Sequence, residues 1–335
     1  MPIVSARTAC LLQAATERGY VFEVLESRFG DVRYIRMLAK NGRRRSFVFE
    51  SLPLAEFTSH YPPSRVDDKL WVKRELEKAG WPAARGRSFW FFQARAALRY
   101  GSELGWPLVV KPRGGSFSRH VTTNICTPDA LQRAISHAVA YAPEFIVEQY
   151  LGGLTVHRAT VVDNSFVACA KREIPSVQGD GRRTISELVA AKNEDPFRGP
   201  PEDETYVLFR ITIDAVSHAV LLEQGYAWDS VPSAGVRVYL QRDPFVRLGA
   251  DVIEVTDQMH PDNRELFLGV AKHFDLRLVG LDFLTEDISR SWREQHCAIL
   301  ELNSLPCIEI HHQPSGGKPQ DVAGALLNMM DKYYG

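Results

Sequence analysis

The chain has 335 residues, 40 basic and 41 acidic side chains, a formal net charge of −1 and 45% hydrophobic residues, ordinary for a soluble globular protein. Balanced charge gives no whole-molecule argument for nucleic acid or an anionic membrane, and no apolar run approaches the ~20 residues of a membrane span. The length fits two or three lobes rather than one small domain.

The first residues, Met1-Pro2-Ile3-Val4-Ser5-Ala6-Arg7, lack the apolar core of a secretory signal. Residues 8–18 show helical apolar spacing (Ala9, Leu11, Leu12, Ala15) and stop at Gly19. β-rich pieces follow at 20–25, 32–38 and 47–49, with an Asn41-Gly42 hairpin turn. The run Arg43-Arg44-Arg45 reads as a solvated hairpin tip, with anion binding as the alternative. Tyr61-Pro62-Pro63-Ser64 reads as a linker. Helices are predicted at 67–79, 94–104, 128–140, 184–193 and 264–274, the first capped by Asp67 or Asp68. Strands are predicted at 108–112, 121–125 and 145–148. The mixture predicts an α+β, or mixed α/β, protein. Cys10, Cys126, Cys169, Cys297 and Cys307 show neither close pairing nor zinc spacing, so reduced thiols in a cytoplasmic protein are expected.

Two segments carry chemistry. Asp282 sits in the apolar run 278–284, where a carboxylate needs a partner or a cation. In the strand 299–303, Glu301 and Asn303 share a face, with Ile299 behind them. Two carboxylates and a carboxamide suit Mg2+ carrying a nucleotide phosphate; a satisfied core Asp beside a polar strand end is the alternative. The second segment is the loop after Lys111, Pro112-Arg113-Gly114-Gly115-Ser116-Phe117-Ser118-Arg119-His120. Its glycines let backbone N–H groups turn toward an anion, and its cations reinforce that. It lacks the Gly-Lys-Ser/Thr ending of a P-loop, and it returns to a strand instead of opening a helix. A loop closing over phosphates and a basic surface hairpin are both open on these residues alone.

Read in order, these pieces resemble an ATP-grasp carboxylate–amine ligase, and most nearly the ATP-grasp modules of cyanophycin synthetase and bifunctional bacterial glutathione synthase. The resemblance rests on an ordered series: Asp68-Lys69 to Lys73, Val109-Val110-Lys111-Pro112, Val147-Glu148-Gln149-Tyr150, and Lys171-Arg172-Glu173 with Gly179-Asp180-Gly181. It continues through residues 193–199, Asp229-Ser230-Val231-Pro232, residues 255–261, Gly280-Leu281-Asp282 and Glu301-Leu302-Asn303. It implies ATP between two antiparallel β-sheet lobes under a mobile lid. It also implies an N-terminal lobe at 1–65, a central subdomain at 66–147 with the phosphate loop, and a C-terminal subdomain at 148–335 with the metal site.

The resemblance implies roles as well. Asp282, Glu301 and Asn303 would hold Mg2+, or Mn2+ in its place. Lys69 and Lys111 would contact phosphates, with Lys73 competing with Lys69. Gly114, Gly115 and Ser116 would close over them. Glu148 and the backbone of Gln149, Tyr150 and Leu151 would meet the adenine edge. Arg172 and Arg158 would stabilise the transferring phosphate. Plainer roles stand beside these: a surface Lys69, Glu148 paired with a core-facing cation, Arg172 paired with Glu173. His311 matches a family histidine, expected with His312 to line the substrate side or to pack.

The chain also departs from the family. Ser118-Arg119-His120 replaces a Gly-x-Gly. No acidic residue follows the hinge for the ribose, leaving Thr155 or His157 as substitutes. Residues 245–250 replace a Ser-Thr-Gly-Gly stretch, so Arg247 marks an anionic substrate or a surface arginine. The expectation is a free-standing ATP-dependent ligase joining an amino-acid carboxylate, γ-glutamyl or similar, to an amine through an acyl phosphate. It would take small amino-acid or short-peptide substrates and no nucleic acid or membrane, and would form a homodimer by family analogy. A small-molecule kinase and a degenerate nucleotide-binding regulator are the other two readings.

Overall fold

The computed structural model describes residues 5–25, 34–38, 47–50, 66, 68–113 and 120–334, with the backbone alone for 22–25, 34–38, 47–50 and Tyr334. The expected Asn-Gly turn, the arginine run, the proline linker and Gly114, Gly115 and Ser116 lie outside the described residues.

Helix α1 (Ala6–Glu17) starts where the Ser5 side chain accepts from the Thr8 backbone N–H, and Gly19 follows it with φ 73°. Strands β1 (Val21–Leu25), β2 (Tyr34–Leu38) and β3 (Phe47–Glu50) form an antiparallel sheet. Helix α2 (Lys69–Lys78) is capped by Asp68, whose carboxylate accepts from the N–H groups of Leu70 and Trp71.

A four-stranded antiparallel sheet comes next, with spatial order β4-β7-β5-β6. Its strands are β4 (Gly86–Trp90), β5 (Leu108–Pro112), β6 (Thr122–Ile125) and β7 (Glu144–Gln149). Helices α3 (Ala94–Leu104) and α4 (Pro128–Tyr141) cover one face. Gly101 lets the two helices approach: a Cβ there would stand 2.5 Å from Leu131 Cδ2.

A five-stranded antiparallel sheet faces the other half of the chain, in the order β14-β9-β8-β15-β16. Its strands are β8 (Thr155–Val162), β9 (Phe166–Glu173), β14 (Asp251–Glu254), β15 (Leu278–Thr285) and β16 (Cys297–Asn303). Between β9 and β14 lie β10 (Ser176–Gln178), α5 (Ile185–Asn193), β11 (Arg198–Gly199), β12 (Leu208–Phe209), α6 (Ala215–Glu223) and β13 (Arg237–Tyr239). Of these, β10 pairs with β13 and β11 with β12.

Helix α7 (Pro261–His273) packs one face of the five-stranded sheet through Phe267, Val270 and Ala271, against Val279, Leu281 and Phe283. The other face is divided. At one end Leu278, Val162 and Ala168 are covered by α1 and by α9 (Val322–Tyr334). The opposite end carries charge in place of hydrocarbon. Helix α8 (Glu309–His312) closes the rim between them. Predicted helices 94–104 and 184–193 appear within a residue of their expected bounds. The predicted helix 264–274 instead starts at Pro261, because Pro fits the first helical turn and His260 caps it. Among the described residues no helix is long and apolar enough to cross a membrane.

Candidate active site

The charged end of the five-stranded sheet presents one row of side chains. Asp282 on β15 is opposite Glu301 on one side and Arg158 on the other. Arg158 is in turn opposite Ala170, two residues before Arg172. One step along, Asn303, Gly280 and Thr160 form the next row on the same face. Strict alternation would turn Ile299 to that face too. A β-bulge at Asp282/Phe283 instead puts Ile299 opposite Phe283, in the core, while Glu301 stays in the charged row.

The row is tightly paired. Arg158 Nε donates to Asp282 Oδ1 at 2.6 Å, and Arg172 Nη2 lies 3.6 Å from the same oxygen. Burial pushes the Asp282 carboxyl up, but the charges of Arg158 and Arg172 outweigh it and hold the group below the ordinary carboxylate range. Arg172 therefore pairs with Asp282, while Glu173 is taken by Lys171 and Arg237. Arg172 Nε and Asn303 Nδ2 are buried with no hydrogen-bond partner among the described residues. Gly280 makes room for the pair: a Cβ there would stand 2.9 Å from Arg158 Nη1.

The four-stranded sheet supplies a second cluster. Glu148, buried on β7, accepts from Lys73 Nζ and from Lys111 Nζ, the latter at 2.5 Å. Burial pushes its carboxyl up, and the two ammonium charges more than reverse this. The Glu148 side chain thus pairs with two buried cations. Gly86, missed by the sequence reading, lies opposite Glu148; a Cβ there would stand 2.5 Å from Glu148 Cβ and 3.0 Å from Lys73 Nζ.

Helix α2 joins the two clusters. Lys69 Nζ lies 3.6 Å from Glu301 Oε2, and one turn later Lys73 reaches Glu148. Residues four apart share a helix face, and each of the two lysines meets a different sheet. At the hinge, Gln149 N–H donates to Arg85 O and Tyr150 N–H to Pro107 O.

The remaining expected residues are elsewhere. His311 is fully enclosed, with Nδ1 2.7 Å from Glu254 Oε2 and Nε2 2.9 Å from Thr160 Oγ1. It packs beside Thr160 of the Gly280 row. Arg247 is held by the Pro201 carbonyl and by Glu204 at 3.0 Å, and its guanidinium stands over the Phe209 ring. Cys169 is buried in the core, and Cys307 accepts from Arg7 Nη2 at 3.2 Å.

His157, a candidate for the ribose, is buried on the sheet face opposite Arg158, with Nδ1 3.2 Å from the Thr155 carbonyl. Burial is the main cause pushing its imidazole down to about 4, with Lys171 pushing the same way and Asp287 opposing. Between pH 6.5 and that value only the unfolded chain takes the proton, so stability falls as pH falls, by about 3 kcal/mol in all. Chemical denaturation from pH 7 to 4 is expected to show this slope, and His157→Gln to flatten it. An unchanged slope in the variant would exclude His157 as its source.

Comparison with known proteins places these features. No family model matches the chain. It is 38% identical over 264 residues to cyanophycin synthetase from Trichormus variabilis, covering 78% of this chain and 29% of that protein. It is 28% identical over 341 residues to the glutathione biosynthesis bifunctional protein of Mannheimia succiniciproducens, covering 96% of this chain and 42% of that one. Among solved structures, the bifunctional glutathione synthetase from Pasteurella multocida superposes with a TM-score of 0.75 at 22% identity, over 98% of this chain and 44% of that chain. The chain has the ATP-grasp fold. The resemblance to cyanophycin synthetase and bifunctional glutathione synthetase read from the motif series is borne out. The chain spans less than half the length of these relatives. The two antiparallel sheets each carry one of the charged clusters, and α2 joins the two.

Proposed function

We propose that the protein is an ATP-dependent carbon–nitrogen ligase, joining a carboxylate to an amine with release of ADP and phosphate. The supporting observation is that one helix binds the charged row of one sheet to the buried triad of the other, through Lys69–Glu301 and Lys73–Glu148. Phosphoryl transfer needs fixed charge on both sides of the migrating group.

Asp282, Glu301 and Asn303 fit a hard divalent cation, Mg2+ or Mn2+. Two carboxylates face each other, and the Asn303 amide beside them carries a carbonyl oxygen of the kind a hard cation takes. Among the described residues no cluster of three or more His, Cys, Asp and Glu has metal-binding spacing; this cage counts an amide. The cation, when bound, draws charge from the phosphate oxygens.

The chain's own residues do the rest. Lys111 and Lys69 neutralise the phosphates. A substrate carboxylate attacks the γ-phosphorus, ADP leaves, and an acyl phosphate forms. Arg172, with its unpartnered Nε, and Arg158 hold that phosphate while the amine attacks the acyl carbon and phosphate departs. The substrates are amino acids or short peptides, with a γ-glutamyl-like donor, in a cytoplasmic setting that suits five free cysteines.

Turnover of Mg-ATP against pooled amino acids and small dicarboxylates tests this, reading ADP, AMP and phosphate separately with product masses. ADP and phosphate are expected only when acid and amine are both present, with a condensed product. A stable phosphorylated product would make the protein a kinase, and AMP with pyrophosphate would exclude the acyl-phosphate route.

A further inference from the structure

His120 stands just before β6, and its backbone is left-handed, with φ 59°. A residue with a Cβ adopts that conformation at a cost that glycine avoids. In the sequence series Ser118-Arg119-His120 stands where the family's motif reads Gly-x-Gly, so this chain carries an imidazole at a position whose backbone suits glycine.

Two contacts hold that imidazole. Its ring stacks on Tyr141 of α4, with centroids 4.3 Å apart and planes 20° from parallel. Stacking uses the ring face and leaves the nitrogens at its edge. Of these, Nδ1 lies 3.3 Å from Nε2 of His137, one turn before Tyr141 on the same helix, and His137 is exposed. Two nitrogens bound to a tetrahedral ion at ~2.0–2.1 Å stand about 3.3–3.4 Å apart, whereas a right-angled pair would stand about 2.9 Å apart. The spacing of the two histidines is thus already that of neighbouring ligands on a tetrahedral ion.

We propose that His120 and His137 form a binding site for a borderline divalent ion of the Zn2+ type, with water in its remaining positions. In the free protein one imidazole donates its N–H to the other. On binding, that ring carries its proton on its second nitrogen instead, so both facing nitrogens offer lone pairs and no proton is lost. Each ring turns by about 35° from its partner toward the ion, as a tetrahedral angle requires, and the torsion that turns an imidazole is soft. His137 and Tyr141 span the last turn of α4, where the negative end of the helix dipole favours a cation. Imidazole suits Zn2+ and its neighbours, while Mg2+ prefers oxygen. The site therefore differs in chemistry from the oxygen cage of Asp282, Glu301 and Asn303, and it stands on the other sheet. Strand β6 is the outer strand of that sheet, and the ion joins its start to the end of α4 across 17 residues of sequence.

Calorimetry with Zn2+ in excess Mg2+, on the full chain without nucleotide, tests this beside thermal unfolding. The parent is expected to bind one Zn2+ that Mg2+ does not displace, and its Tm to rise with Zn2+ concentration. His137→Gln and His120→Gly should each weaken binding by at least about 10-fold and lose the Tm rise, since even changes outside the ligands themselves cost 10–100-fold. Glycine suits the left-handed backbone at position 120, so a loss there is not one of folding. Cys126→Ser removes the exposed thiol at the far end of β6 and should bind Zn2+ as the parent does. A parent that binds no Zn2+, or binding that survives either histidine variant, overturns the assignment, and so does loss of binding in Cys126→Ser.

Discussion

Asp282→Asn is expected to abolish turnover and to destabilise the fold, whereas Glu301→Gln loses turnover with little change in stability. The difference follows from burial and pairing. Asp282 compensates Arg158, whose side chain is only 7% exposed, at 2.6 Å, and Arg172 at 3.6 Å. Removing the carboxylate charge leaves a guanidinium uncompensated in the interior, at a cost of about 3–5 kcal/mol. The Glu301 side chain is 29% exposed and has one ion pair among the described residues, to Lys69 at 3.6 Å, so its loss costs about 1 kcal/mol or less. Both substitutions take an oxygen charge from the proposed phosphate site, and each is expected to lower kcat by at least about 10²-fold. Urea unfolding beside ATP turnover separates the two effects. Adding Arg158→Met to Asp282→Asn should recover most of the stability and none of the turnover. Near wild-type turnover in Glu301→Gln would remove it from the proposed cage, and an Asp282→Asn protein as stable as the parent would show that Arg158 finds another partner.

The charged row was legible because strand alternation is short-range: Asp282, Glu301 and Asn303 need only period two to share a face. The bulge was not, since a one-residue insertion is a matter of pairing between strands and leaves no local pattern around Leu300. The triad on the facing sheet was half visible. Lys111 and Glu148 stood out at the ends of apolar strands. The separate duties of Lys69 and Lys73 could not, because Lys73 meets Glu148 across 75 residues of sequence. Gly86 had no signal either, since its neighbours Arg85, Arg87 and Ser88 break any alternation; only the closeness of Glu148 and Lys73 explains it. Helix α6 was missed because its apolar residues do not fall on one side: Val220 and Leu221 are buried while Leu222 is 77% exposed. Arg247 and His311 were singled out from the sequence series, yet each is tied into contacts that only the tertiary fold creates.

Glu148→Gln is expected to destabilise the protein strongly, and its effect should depend on pH in a specific direction. Glu148 is 3% exposed and sits between the ammonium groups of Lys73 and Lys111, themselves 5% and 9% exposed. A neutral amide leaves two buried like charges facing each other, at a cost of about 3–5 kcal/mol. In the wild type the Glu148 carboxyl is held below the ordinary range, so its contribution is complete above the unfolded value near ~4.3 and is lost as pH falls through the folded value. The variant should lack that acid-side loss. On the alkaline side, burial pushes Lys73 down, with Lys111 repelling it and Glu148 opposing both. Without Glu148 the folded protein sheds the Lys73 proton more readily still, while the unfolded chain keeps it to near ~10.4. The unfolded state then binds more protons, so the variant regains stability as pH rises from 7 toward 10. Lys73→Met in the Glu148→Gln background removes one of the two repelling charges, and should restore about half or more of the lost stability and abolish the alkaline recovery. Denaturant midpoints at pH 5, 7 and 9 for the parent, the single variant and the double variant decide the matter. A Glu148→Gln protein whose stability is independent of pH between 7 and 9 would mean that the two lysines are already neutral or hydrated, and that the triad does not set the charge of this sheet.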